Sequence, residues 1–134
     1  MTAGYSGTPL AKKLGFKEGQ KIWFINEPDH YLQLFDSLPD CRYYQRKPQE
    51  ADLIHVFFTH RKQLENRISK IIAVLSKQGS IWISWPKKSS AIASDLDRDW
   101  IRSYVLNQGL VDVKVCAVDE DWSGLKFMYR IKDR

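Results

Sequence analysis

A chain of 134 residues with 43% hydrophobic and 13% aromatic content has the length of one domain with a sizeable core, and is too apolar for a disordered segment. Its net charge of +5 is dispersed, with seven basic and six acidic side chains in residues 1–50 and fourteen and ten in residues 51–134, which argues against nucleic acid as a partner. No run approaches the ~18 apolar residues of a membrane span, and the first five residues lack the pattern of a secretion signal. Cys41 and Cys116 stand without close partners, so the expectation is a reducing, cytoplasmic setting.

Residues 1–18 read as an N-terminal arm. Gly4-Tyr5-Ser6-Gly7 is a turned lead-in, Thr8 an N-cap, Pro9 the first helical position and Gly15 the stop of a short helix. Two glycines without a P-loop lysine and serine favour an arm packed on the sheet over an anion cradle. Lys21–Asn26 is the first strand, and its unbroken apolar run suits a parallel strand covered on both faces. Asn26 or Glu27 caps a helix beginning at Pro28, with Tyr31, Leu34, Phe35 and Leu38 as its buried stripe and Pro39-Asp40 as its end. Cys41–Tyr44 is a short outer strand, and Arg46-Lys47-Pro48 a polar connection.

Ala51–Phe58 is the next strand. A long helix runs from Thr59 or His60 to about Lys77, burying Leu64, Ile68, Ile71, Ile72 and Leu75. Gly79 suits the left-handed residue that ends it. Ile81-Trp82-Ile83 then forms the central strand, closed by Pro86, which cannot continue a ladder. Ser89–Ala93 is a small-residue loop, and Ser94 caps a helix over Asp95–Gln108 that Gly109 stops. Two final strands, Val111–Val118 and about Leu125–Ile131, are joined closely enough to be antiparallel neighbours. The expected fold is a single three-layer, Rossmann-like α/β domain over residues 1–134. Its sheet has about six mostly parallel strands and a C-terminal antiparallel hairpin, with helices on both faces.

Two resemblances attach to this layout. Gly4–Leu10, Ser84-Trp85-Pro86-Lys87, Val115–Asp119 and Trp122–Leu125 are similar to the signature stretches of a bacterial family of small uncharacterised domains, over nearly the whole chain. The helix, strand, helix and terminal hairpin of the second half resemble S-adenosylmethionine-dependent methyltransferases in truncated form. That resemblance implies a sheet in the order of the Cys41, Lys21, Ala51, Ser80, Leu125 and Val111 strands. The methyltransferase pattern also implies a glycine-rich cofactor turn after the first strand, where Asn26-Glu27-Pro28-Asp29 stands, and an acidic ribose ligand after the second, where Tyr44-Gln45-Arg46-Lys47 stands. Basic side chains cannot accept those hydrogen bonds, so S-adenosylmethionine is not favoured and no other cofactor is expected.

Ligands of open α/β sheets bind at the carboxyl ends of the strands. On that edge the candidate ligand-binding residues are Asn26, Thr59, Trp85, Lys87, Lys88 and Ser89. The two lysines and the following helix start suit a phosphate or carboxylate. Trp122 and Asp119, in the last turn, are candidates for a pocket cover or an interaction point. His55 reads as a hydrogen-bonded core residue, Cys116 as a packed thiol, and no histidine or cysteine spacing makes a metal site. The leading expectation is a non-catalytic or regulatory module for an anionic small ligand. The alternatives are an atypical methyltransferase and a module that forms a homodimer through its terminal hairpin.

Overall fold

A computed structural model describes residues 8–134, so Gly4–Gly7 lies outside the described residues. Along them run α1 (Leu10–Leu14), β1 (Lys21–Ile25), a 3-10 turn (Tyr31–Leu34), β2 (Arg42–Tyr44) and β3 (Ala51–Phe57). Then come α2 (Arg61–Ile72), β4 (Leu75–Pro86), α3 (Arg98–Leu106), β5 (Leu110–Ala117), β6 (Trp122–Tyr129) and a last 3-10 turn (Ile131–Asp133). The six strands form one sheet in the order β2-β1-β3-β4-β6-β5. The first four are parallel, and β6 runs antiparallel between β4 and β5. This is the Rossmann-like sheet order that the resemblance to methyltransferases implied.

Each central strand is buried twice, which is why its apolar run is unbroken. Trp23, Ile25, Ile54, Val56, Ile81 and Ile83 face α2 and α3, meeting Leu64, Ile68 and Ile71 of the first and Ile101 and Val105 of the second. Ile22, Phe24, Leu53, Phe57 and Trp82 point to the other face, where Leu14 of α1 and Tyr31 cover them. The Trp82 indole N–H donates to the Leu14 carbonyl at 2.8 Å, which ties the short α1 to the central strand. Gly15 ends α1 in the left-handed region at φ 87°, as expected.

Four expectations are corrected by the structure. The helix expected from Pro28 to Leu38 is a single 3-10 turn, and Leu32 and Leu38 lie exposed at 57% and 37%. Leu38 precedes Pro39 and is biased away from helix, and a segment this short depends on packing for any helical stability. Here Tyr31, Leu34 and Phe35 supply that packing, from one turn and its C-cap.

The helix expected to reach Lys77 stops at Ile72, and β4 begins at Leu75. Gly79 therefore ends no helix; it lies buried within β4. Ala51 pairs with Leu75 while Leu53 pairs with Ser80, so β4 carries a bulge of three extra residues there. A Cβ on Gly79 would stand 2.6 Å from the Asp52 carbonyl oxygen, so the bulge closes only over a bare backbone.

The helix expected over Asp95–Gln108 is confined to Arg98–Leu106. Asp97 rather than Ser94 caps it, accepting from the Trp100 N–H at 2.8 Å, while Ser94 accepts from the nearby Leu96 N–H at 3.0 Å. Finally, Trp122 opens β6 rather than standing in a turn. Among the described residues no helix is long and apolar enough to cross a membrane.

Candidate ligand cleft at the carboxyl edge

The chain leaves β1 through Asn26, whose backbone is left-handed at φ 57°. Asparagine is among the few non-glycine residues that tolerate this region. Its side-chain Nδ2 donates to the Phe57 carbonyl at 3.2 Å, so the turn is pinned to the end of β3. The position that carries glycine in the methyltransferase pattern thus has a glycine-like backbone with a side chain added. Glu27 follows, half-buried, and its carboxylate accepts from the Gln45 amide at 3.3 Å, joining the ends of β1 and β2.

Beside this turn lies a cleft of about 480 Å³, open on the face of the sheet that α2 covers. Its floor is Trp23, Phe24 and Ile25 of β1; its walls bring Gln45, Arg46 and Lys47 together with Asn66, Arg67 and Lys70 of α2. The cleft follows from topology. β2 passes to β3 through residues 45–50 without a helix, so that connection places nothing over β1 and β2 on this face. Arg67 and Lys70 are three residues apart and neighbour one another along α2. Four cations therefore border the cleft against the one carboxylate of Glu27. None of the four has an ion pair among the described residues. Trp23 is 4% exposed, and its indole N–H is buried with no acceptor among the described residues. Leaving such a donor unmet costs about 1–3 kcal/mol.

The six residues expected to form one ligand site are divided by the structure. Asn26 borders this cleft. Trp85, Lys87 and Lys88 border a separate, open groove with Leu96, Asp97, Arg98, Asp99, Val115 and Ser123. There the lysines share the surface with two carboxylates, so its charge is mixed. Thr59 is occupied by helix capping: its N–H donates to Gln63 Oε1 at 2.8 Å and its hydroxyl lies 2.8 Å from His60 Nδ1. Ser89 is exposed and borders neither space.

Asp119 and Trp122 have structural partners. Asp119 is 4% exposed; its Oδ1 accepts from the Asp121 and Trp122 N–H groups at 2.8 Å each, and its Oδ2 pairs with His30 Nε2 at 2.7 Å. Trp122, 6% exposed, sets its ring edge-on to Phe57 at 5.0 Å. It covers the core of its own chain. Lys87 is held by its backbone, donating to the Asp121 carbonyl at 2.7 Å.

His55 lies at 0% exposure between Tyr31 and Ser84, and burial pushes its imidazole down to about 3. The ring is thus neutral, one nitrogen donating and the other accepting. Burial pushes the Cys116 thiol up, which keeps it protonated and a poor nucleophile. Among the described residues no group of three or more His, Cys, Asp or Glu could hold a metal ion.

No protein-family model matches this chain, and neither does a curated protein. Solved structures do resemble it, and they define the class of its fold: Rossmann-like, of the S-adenosylmethionine-dependent methyltransferase type. One is a ribosomal protein L11 methylase from Lactobacillus delbrueckii subsp. bulgaricus, with a TM-score of 0.60 at 11% identity over 90% of this chain and 77% of that one. Another is a S-adenosylmethionine-dependent methyltransferase from Aquifex aeolicus, with a TM-score of 0.58 at 13% identity over 90% and 88%. A third, magnesium protoporphyrin IX methyltransferase from Synechocystis PCC 6803, scores 0.59 at 6% identity over 84% and 75%. At these identities the likeness is one of fold, and fold does not carry activity.

The sequence missed Arg46, Lys47, Arg67, Lys70 and Trp23. Arg46-Lys47 reads as an ordinary polar connection, and Arg67 and Lys70 as the solvated side of an amphipathic helix. Only the packing of α2 beside the ends of β1 and β2 makes them face one space. The one available signal was the missing helix between β2 and β3.

Proposed function

We propose that this protein is a non-catalytic module that binds an anionic small ligand in the cleft between the ends of β1 and β2 and the flank of α2. The observation that carries the reading is the convergence of Arg46, Lys47, Arg67 and Lys70, none of them paired, on one cleft beside the Asn26 turn. Unpaired cations on two walls attract an anion, and the low-dielectric floor of β1 strengthens that attraction. The volume lies within the roughly 300–1,000 Å³ typical of small-ligand pockets. A ligand oxygen reaching β1 would also give the Trp23 N–H the acceptor it lacks.

A methyltransferase is the second reading, supported by the left-handed Asn26 backbone at the position of the cofactor turn. It is weaker because S-adenosylmethionine carries a sulfonium and an ammonium against one carboxylate, and a cleft with excess positive charge repels it.

Thermal melts at low ionic strength separate the readings. Bound ligand at ~100 times its dissociation constant stabilises the fold by about 2.7 kcal/mol, several degrees for a domain of this size. Inorganic phosphate is expected to raise the melting temperature of the wild type but not of a variant in which all four cleft cations are replaced, Arg46→Ala/Lys47→Ala/Arg67→Ala/Lys70→Ala. Lys87→Ala/Lys88→Ala is expected to respond as the wild type does. Loss of the response in that second variant alone would move the site to the Trp85 groove. A shift with S-adenosylmethionine and none with any anion would establish the second reading instead.

A further inference from the structure

Resting on that assignment of the cleft, the charge distribution says what kind of anion fits. We infer that the ligand carries two linked phosphoryl groups, in the class of pyrophosphate and nucleoside diphosphates, rather than a single phosphate or a carboxylate-only anion.

The cations come in two pairs from two unconnected elements. Arg46 and Lys47 are adjacent on the connection after β2, and Arg67 and Lys70 lie one turn apart on α2, across the cleft. Each pair supplies one guanidinium, whose planar fork matches two oxygens of a phosphoryl group, and one ammonium, which acts as a point charge. A single phosphate fits one such pair and leaves the other wall's like charges facing each other. Two linked phosphoryl groups let each wall hold its own.

The charge balance points the same way. Four cations against Glu27 leave an excess of three positive charges around the space. A phosphoryl group carries about −1.5 to −2 near neutral pH, so two of them offset that excess and one does not. Space remains for an organic part, because about 480 Å³ far exceeds what a lone anion fills. Asn26, Asn66 and the Gln45 amide stand on the same rim and can hydrogen-bond neutral groups of such a part. On the floor, the Trp23 N–H is buried with no acceptor among the described residues. An oxygen of the bound ligand is the acceptor this inference gives it, which makes Trp23 a positioning residue for the bound state.

The test is isothermal titration at fixed ionic strength with pyrophosphate, ADP, orthophosphate, citrate and a short single-stranded RNA. Pyrophosphate and ADP are expected to bind at least tenfold more tightly than orthophosphate or citrate. Arg46→Ala and Arg67→Ala, both at exposed positions, are each expected to weaken pyrophosphate binding about tenfold with unchanged circular dichroism. Each is expected to weaken orthophosphate binding by less, since either wall can hold a single group. Trp23→Phe, which keeps the ring and removes the donor, is expected to weaken pyrophosphate binding while retaining the fold.

If orthophosphate matches pyrophosphate, the diphosphate inference falls while the anion site stands. Citrate binding as tightly as pyrophosphate overturns the phosphoryl class, and RNA binding more tightly than both overturns the small-ligand class. Failure of every anion to bind removes the inference together with the function it rests on.

Discussion

The Tyr31 hydroxyl lies 2.7 Å from His55 Nδ1, and His55 Nε2 lies 2.8 Å from Ser84 Oγ. This chain of three buried side chains joins the 3-10 turn to β3 and β4 beneath the core of that face. A buried polar chain specifies one arrangement because each member, left alone, keeps an unmet group in a low-dielectric interior. Tyr31→Phe removes only the hydroxyl and strands one imidazole nitrogen. The expected cost is about 1–3 kcal/mol, read as a lower urea midpoint with unchanged slope. A midpoint equal to the wild type's would mean that the chain contributes nothing to stability.

The same chain gives stability a pH dependence. Buried His55 titrates at about 3, against 6.5 for an ordinary histidine. The unfolded chain therefore takes up a proton as pH falls below about 6.5, while the folded chain refuses it down to about 3. The stabilisation is complete above 6.5 and is lost between those values, at about 1.4 kcal/mol per pH unit. Urea midpoints measured at pH 7, 6, 5 and 4 are expected to fall more steeply for the wild type than for His55→Gln. Parallel curves for the two proteins would show that His55 does not carry the effect.

What was legible in the sequence is what short-range chemistry dictates. Doubly buried strands declared themselves through unbroken runs such as Ile22–Ile25 and Ile81–Ile83, and Gly15 stopped α1 with positive φ, whereas α3 ended earlier than expected, with Asn107 as its C-cap and Gly109 beyond it. The strand order came from the resemblance to methyltransferases rather than from the residues, since right-handed crossovers restrict the topology without fixing it. Contacts between distant segments were not legible. Gly79 looked like a helix stop because nothing in residues 73–80 reveals that Asp52 presses against it. Asp119 looked like a pocket cover or an interaction point in the last turn, although His30 of its own chain, 89 residues away, completes its partners. The cleft cations were hidden for the same reason: they are ordinary surface residues until the fold aligns them.

Gly79 and Gly19 offer a paired test of two distinct reasons for glycine. A Cβ at Gly79 meets the Asp52 backbone oxygen at 2.6 Å and Leu75 Cδ1 at 2.9 Å. At Gly19 nothing lies within 4 Å, but φ is 83°. Gly79→Ala is expected to cost about 1–3 kcal/mol through overpacking, and Gly19→Ala about 1–2 kcal/mol through backbone strain alone. Gly79→Ala is also expected to disturb the β3–β4 bulge, visible as faster amide exchange at Asp52 and Leu53, and Gly19→Ala is expected to leave those amides unchanged. A wild-type exchange pattern in Gly79→Ala would mean that the bulge has room the geometry denies.

Asp119 and His30 share one contact but differ in what else depends on each. His30 is half-exposed, and its side chain gains a single partner. Asp119 is buried and also satisfies the N–H groups of Asp121 and Trp122, which set the turn that brings Trp122 over Phe57. Removing His30 leaves Asp119 with two donors and access to water at one oxygen, so His30→Ala is expected to cost no more than about 1 kcal/mol, and salt weakens the contact only where the imidazole is protonated. Asp119→Ala orphans two backbone donors and frees the turn, with an expected cost of roughly 2–3 kcal/mol that salt barely changes. Asp119→Asn keeps an acceptor for the turn and loses the charge, so it is expected to fall between the two. Urea denaturation of the three variants at low and high salt checks the order. Equal losses for His30→Ala and Asp119→Ala would show that the ion pair, rather than the turn, is what Asp119 provides.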